Sequence, residues 1–337
     1  MGVGGGGFDE DTVVIGGRYL EHNVRSLAAD GRLVVIEPGE PASTAGAGGW
    51  PRVPPAVVLR GGPVPTGQRS SRHGGGMRTS ARRRWLWLPV LLVGLVLVWA
   101  VEGTLAVTGN PNLVPSLLLL GALVVPVAFV AYIDGRNPAF DVPLLGLLLC
   151  GGIGGVLGVV TAGLGEADVV LHLGSEPTLA VGVIEEAAKL VVPLAVLIFT
   201  RYRNVPADGL LVGVAAGVGF AVLETMGYGF TVLLQTRDLA AVDATLLVRG
   251  LTSPAGHAAW TGLAAAALWR VWAHRGRPAA VAGFVGTFVL VVVLHTAWDT
   301  LQNPIAYLII GVISLALLLR QTRHDLDLHL APRRGAP

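Results

Sequence analysis

The chain has a single cysteine, Cys150, and it lies inside an apolar run. A disulfide framework or a thiolate metal site within one chain is therefore excluded. Charge is also scarce: 14% of the 337 residues are Asp, Glu, Lys or Arg, against 53% hydrophobic. The net charge of +2 is small, and the basic residues cluster beside the apolar runs. That pattern excludes a nucleic-acid surface and reads as a set of topology signals. No signal-peptide pattern opens the sequence; the first apolar run begins near Trp85, behind Arg82, Arg83 and Arg84, and reads as a first anchor.

What is present is apolar sequence in long runs, with a mean hydropathy of +0.65. The reading is an all-α polytopic membrane protein, a bundle of about eight transmembrane helices. Expected spans are 85–107, 112–133, 143–163, 178–199, 208–235, 251–273, 279–301 and 304–320, separated by breaks such as "TGNPN", "RYRNVPAD" and "HRGRP". Residues 1–82 are rich in Gly, Pro, Ser and Arg and read as a largely disordered cytoplasmic tail, with a possible short strand at "RLVVIEP". Met77, just ahead of the arginines, is an alternative translation start. A transmembrane domain over 83–322 and a short cytoplasmic tail over 323–337 complete the division. If the spans alternate, Arg82–Arg84, Arg136, Arg201, Arg203, Arg275, Arg277, Arg320 and Arg323 share one side. That side is expected to be cytoplasmic, with both termini inside a cell membrane.

The span "AVGVIEEAAKLVVPLAVLIF" carries Glu185, Glu186 and Lys189 where hydrocarbon is expected. At 1.5 Å per residue, Glu185 and Glu186 lie about 10–15 Å from the outer end, Glu224 about 15 Å, and His257 and His295 about 10 Å. Asp299 is nearer the surface. Four helices thus deliver carboxylates or imidazoles to one layer. Any one of these groups alone is as well explained by helix packing as by function. Seven together cost on the order of 10 kcal/mol on insertion scales, while interhelical hydrogen bonds return only about 0.6–2 kcal/mol each. A shared cation or a wet reactive pocket closes that gap.

Glu185 and Lys189 are spaced i, i+4, as are His295 and Asp299, so each pair can meet on one helix face. The Lys189 pairing reads as a salt bridge that makes insertion tolerable, and Asp299 as a group orienting His295 or joining it as a ligand. Gly209, Gly213, Gly217, Ala221, Glu224 and Tyr228 form one stripe; the small residues read as close-packing scaffold, and Tyr228 as a partner for Glu224. Pro193 is placed to kink the fourth span. His22, His73, His172, His274, His324 and His329 fall in loops or tails and read as exposed.

Two imidazoles and a carboxylate form a common catalytic zinc shell, here His257, His295 and Glu224, with Glu185 or Glu186 as base and later acid. A metal-free version has a glutamate activate water while the histidines and Asp299 hold the carbonyl oxygen. Both are hydrolytic, and a peptide bond is the natural membrane-embedded target. The competing reading is a proton- or metal-coupled transporter using the same Glu/His cluster; no internal repeat or inner-half relay accompanies it.

"EEAAK" (Glu185–Lys189), "GFAVLETMGY" (Gly219–Tyr228), "SPAGHAAWTG" (Ser253–Gly262) and "LHTAWD" (Leu294–Asp299) together resemble the PrsW family of intramembrane proteases. The resemblance covers roughly residues 85–320. It implies a bacterial membrane protease acting on membrane-anchored proteins at the outer side, with anti-sigma factors as the best-known substrate class. It also implies that Glu185, Glu186, Glu224, His257 and His295 carry the site, with Asp299 beside them. Family members are usually called metalloproteases, while direct glutamate catalysis is argued for relatives, so the metal and metal-free versions both stay open. Thr225 stands where the family often has Asn.

Overall fold

The computed structural model describes residues 84–136, 140–174 and 177–330. The N-terminal tail, with the expected strand at "RLVVIEP" and Met77, lies outside the described residues. All regular structure among the described residues is helical. In chain order the α-helices are α1 (Trp87–Thr108), α2 (Val114–Asp134), α3 (Leu144–Leu173), α4 (Thr178–Lys189), α5 (Val191–Phe199), α6 (Pro206–Thr236), α7 (Leu239–Thr252), α8 (His257–Ala273), α9 (Pro278–Leu301) and α10 (Pro304–Leu330).

Six of these are long and apolar enough to cross a membrane: α1, α2 with the turn before it, α3, α6, α9 and α10. The other two expected spans are interrupted, each for a local reason. Span 178–199 breaks at Leu190, leaving α4 and α5. Pro193 lacks the N–H that would bond the Lys189 carbonyl four residues back, and its ring crowds that carbonyl, so the helix cannot run straight through. Span 251–273 was expected to be continuous. Instead α7 ends at Thr252, Ser253–Ala255 form a 3-10 turn, and α8 starts at His257 itself. Pro254 and Gly256 break the helix just ahead of the imidazole.

Two elements run further than their composition suggested. α3 continues to Leu173, where Gly174, at φ +68°, returns its N–H to the Val170 carbonyl at 2.8 Å; a left-handed glycine is a common helix stop. His172 is thus on a last helical turn, exposed as expected, while Glu166, past the expected end of the span at 163, is buried. α10 extends to Leu330, so His324 sits on a helix rather than in a tail.

α6 is the central element. Its Gly209, Gly213 and Gly217 meet α8, and Gly219 meets α3. At Gly217 an added Cβ would fall onto the His257 carbonyl, and at Gly219 onto the Gly151 carbonyl. Backbones in such contact leave no room for a side chain, and membrane helices use small residues to reach it. This close approach sets the spacing of α3, α6 and α8, and with it the distance between Glu224 and His257.

Candidate active site

Glu185, Glu186 and Lys189 occupy the last turns of α4 and are all buried. The helical spacing closes two contacts within α4: Lys189 Nζ lies 3.3 Å from Glu185 Oε2 and 2.7 Å from Glu186 Oε1. The same ammonium reaches across to α8, 2.7 Å from His257 Nδ1, and sits 4.4 Å over the Phe220 ring of α6. Lys189 therefore does more than balance charge on its own helix. It ties α4, α6 and α8 together at one point.

His257 turns its other nitrogen to α6, with Nε2 2.9 Å from Glu224 Oε2. Arg249 of α7 brings Nη2 to 3.0 Å from the same oxygen and Nε to 3.4 Å from Thr225 Oγ1. Tyr228, expected beside Glu224, lies under the Arg249 guanidinium at 3.8 Å. On α9, His295 is fully enclosed: Nδ1 is 2.9 Å from Glu186 Oε1, and Nε2 is 3.3 Å from Asp299 Oδ2 and 3.5 Å from Glu185 Oε2. Trp260 stacks on this ring at 5.0 Å and donates its indole N–H to Ser314 of α10 at 2.9 Å. The two imidazoles stand edge to face, 5.3 Å apart.

Every residue singled out in the sequence as a site candidate lies in this one network. Arg249 was not singled out. It falls in a short segment between two spans, and its only sequence signal is a basic residue on the side otherwise poor in them. A cleft of about 110 Å³ reaches the network, with His257 and Trp260 among its lining, Arg249 and Thr225 on α7 and α6, and Trp298 and Tyr307 on α9 and α10.

The donor set can be tested for a metal on charge and on spacing. Four carboxylates (Glu185, Glu186, Glu224, Asp299) face two cations (Lys189, Arg249), which leaves a formal charge of −2 when both imidazoles are neutral. Burying that deficit is costly, and one divalent ion cancels it. His295 has carboxylates on both ring nitrogens, although a neutral imidazole has only one N–H to give. It needs either a second proton or a metal ion at Nε2. Ligand atoms of Glu185, His257 and His295 lie within 4.8 Å of one another. Two donors about 2.0–2.2 Å from a tetrahedral ion stand about 3.3–3.5 Å apart, and the His295 Nε2 to Glu185 Oε2 distance of 3.5 Å already matches. The residues fit a metal. The convergent set contains Glu185, however, where the sequence pointed to Glu224.

A sequence model of the PrsW family intramembrane metalloprotease matches residues 142–319. Searches of curated proteins and of solved structures find no match. The family segment spans more than half of the chain and contains every residue of the buried network, from Glu185 on α4 to Asp299 on α9. The chain belongs to the PrsW family of intramembrane metalloproteases.

Proposed function

We propose that this membrane protease hydrolyses peptide bonds of membrane-anchored protein substrates near the extracytoplasmic face, with anti-sigma factors as a fitting substrate class in bacterial signalling. The observation that carries the reading is the meeting of side chains from α4, α6, α8 and α9 in one buried network reached by a cleft. His257 heads α8, about 24 Å along the helix from Ala273 and the arginines that follow it. If those arginines face the cytoplasm, the network lies in the outer half of the bilayer.

Glu185, His257 and His295 would hold the ion, and the mixed nitrogen and oxygen set favours zinc. Bound there, it would polarise a water molecule and the scissile carbonyl. The chain's own groups do the rest. Glu186 accepts the Nδ1–H of His295, which leaves the Nε2 electron pair facing Glu185. Glu224, held by Arg249, accepts the Nε2–H of His257, so the Nδ1 pair is the one that would meet the ion, in place of the Lys189 ammonium that stands 2.7 Å from it. Carboxylates that fix histidine tautomers in this way are a common support for metal ligands. The Glu185 oxygen not directed at the ion takes the proton of the attacking water as the water oxygen bonds to the carbonyl carbon, and returns it to the amine nitrogen when the C–N bond breaks. Glu186, closed in by Lys189 and His295, positions rather than exchanges protons.

Metal analysis of the purified protein tests the assignment. One divalent ion per chain is expected, lost in His295→Ala and in Glu185→Gln and largely kept in Glu224→Gln. Retention in Glu185→Gln with loss in Glu224→Gln would return the ligand role to Glu224.

A further inference from the structure

Arg84, Arg136 and Arg323 come from three separate places in the chain, ahead of α1, just past α2 and on α10. They line one cavity of about 340 Å³. Its other described walls are Tyr132, Gly135, Leu319 and Thr322, and no carboxylate lines it among the described residues, Asp134 being the nearest in the chain. Arg136 is braced by the Tyr132 ring, 4.3 Å from its guanidinium carbon. α10 continues this character: Arg320, Arg323 and His324 line a space of about 500 Å³, and Arg270 of α8 joins Arg320 and His324 in one of about 420 Å³. The three spaces adjoin through shared residues, and among the described residues every charged side chain lining them is basic. Asp325, on the same stretch of α10, is hydrogen-bonded to Gln321 at 2.8 Å and lines none of them.

Arginine clusters at the end of membrane helices can simply mark the cytoplasmic side. Here they surround a volume. Guanidinium groups from separate helices around one cavity match the oxygens of a phosphate ester, to which each can donate more than one hydrogen bond. Arg84 of the lining stands just ahead of α1, which carries exposed Leu88 and Leu92, four and eight residues further along. That apolar surface suits an acyl chain and does nothing for a free anion. Arg84, Arg136, Arg320 and Arg323 also lie outside residues 142–319, the segment shared with the family.

We propose that the cavity between the start of α1, the end of α2 and α10 binds the phosphate of an anionic glycerophospholipid, with the acyl chains lying along α1. This site is separate from the hydrolytic network and does not rest on how that network works.

The test uses the full chain in nanodiscs of phosphatidylcholine mixed with phosphatidylglycerol, with retained lipid read by native mass spectrometry. Wild type is expected to retain phosphatidylglycerol in preference, and Arg136→Gln and Arg323→Gln each to lower that preference about fivefold. The double variant should bind both lipids alike. Arg201→Gln, at the same end but lining none of the three spaces, should leave the preference unchanged. Equal retention of both lipids by wild type would overturn the proposal. So would an effect of Arg201→Gln as large as that of Arg136→Gln, because the charge would then act without a site. Displacement of the lipid by millimolar inorganic phosphate would overturn the lipid assignment in favour of a free phosphate. If the double variant does not fold, the single variants carry the same comparison.

Discussion

Two charged regions of the molecule differ in composition and in burial. Around His257 and His295, carboxylates, imidazoles, an ammonium and a guanidinium interlock, and Glu185, Glu186, Lys189 and His295 are each 3% exposed or less. Around Arg136 and Arg323 the described charged side chains that line the cavities are basic, with Asp134 and Asp325 close by in the chain, and the arginines stand open. Charge buried in apolar surroundings persists only when it is paired and put to use. Exposed charge of one sign costs little and works through attraction. The first region is built for chemistry and the second for contact with an anion, so substitutions should separate them cleanly.

The largest effects should come from the buried network. Glu185→Gln and His257→Ala are each expected to lower substrate cleavage at least about a thousandfold while membrane levels of the protein stay similar. Glu186→Gln should lose less, about 10- to 100-fold, because it orients His295 without exchanging protons. A Glu186→Gln loss larger than that of Glu185→Gln would mean that the two carboxylates have each other's roles. Arg249→Met should lower kcat about tenfold with little change in KM, since it acts through Glu224 and His257. A rise in KM alone would make Arg249 a substrate contact. Gly219→Val should destabilise the fold by about 1–3 kcal/mol or more, read as a lower Tm in detergent, because α3 and α6 must separate. The smallest effect belongs to the arginine end: Arg136→Gln with Arg323→Gln should leave cleavage within about twofold of wild type.

That the ionisable residues share one place was legible in the sequence because each is out of place in an apolar run, and a helix converts position into height along its axis at a fixed rise. The break in the fourth span was foreshadowed by Pro193. The start of α8 at His257 was not, although "SPAG" holds the breaker residues; the apolar residues on either side outweighed them. Arg249 was missed because its importance comes from α7 folding back over Glu224, a tertiary contact without a local pattern. Lys189 was read as a partner for Glu185 alone, since its reach to His257 spans 68 positions in the chain. The choice between Glu185 and Glu224 as ligand depends on rotamers and helix spacing set by Gly217 and Gly219. Spacing along one helix does not contain that information.

Cleavage of a co-expressed single-span membrane protein, scored by immunoblot for wild type and for His295→Ala at matched membrane levels, tests the hydrolytic centre most directly. Wild type should release the shortened fragment, and the variant should leave the substrate whole. Fragment release by His295→Ala at the wild-type rate would contradict the account.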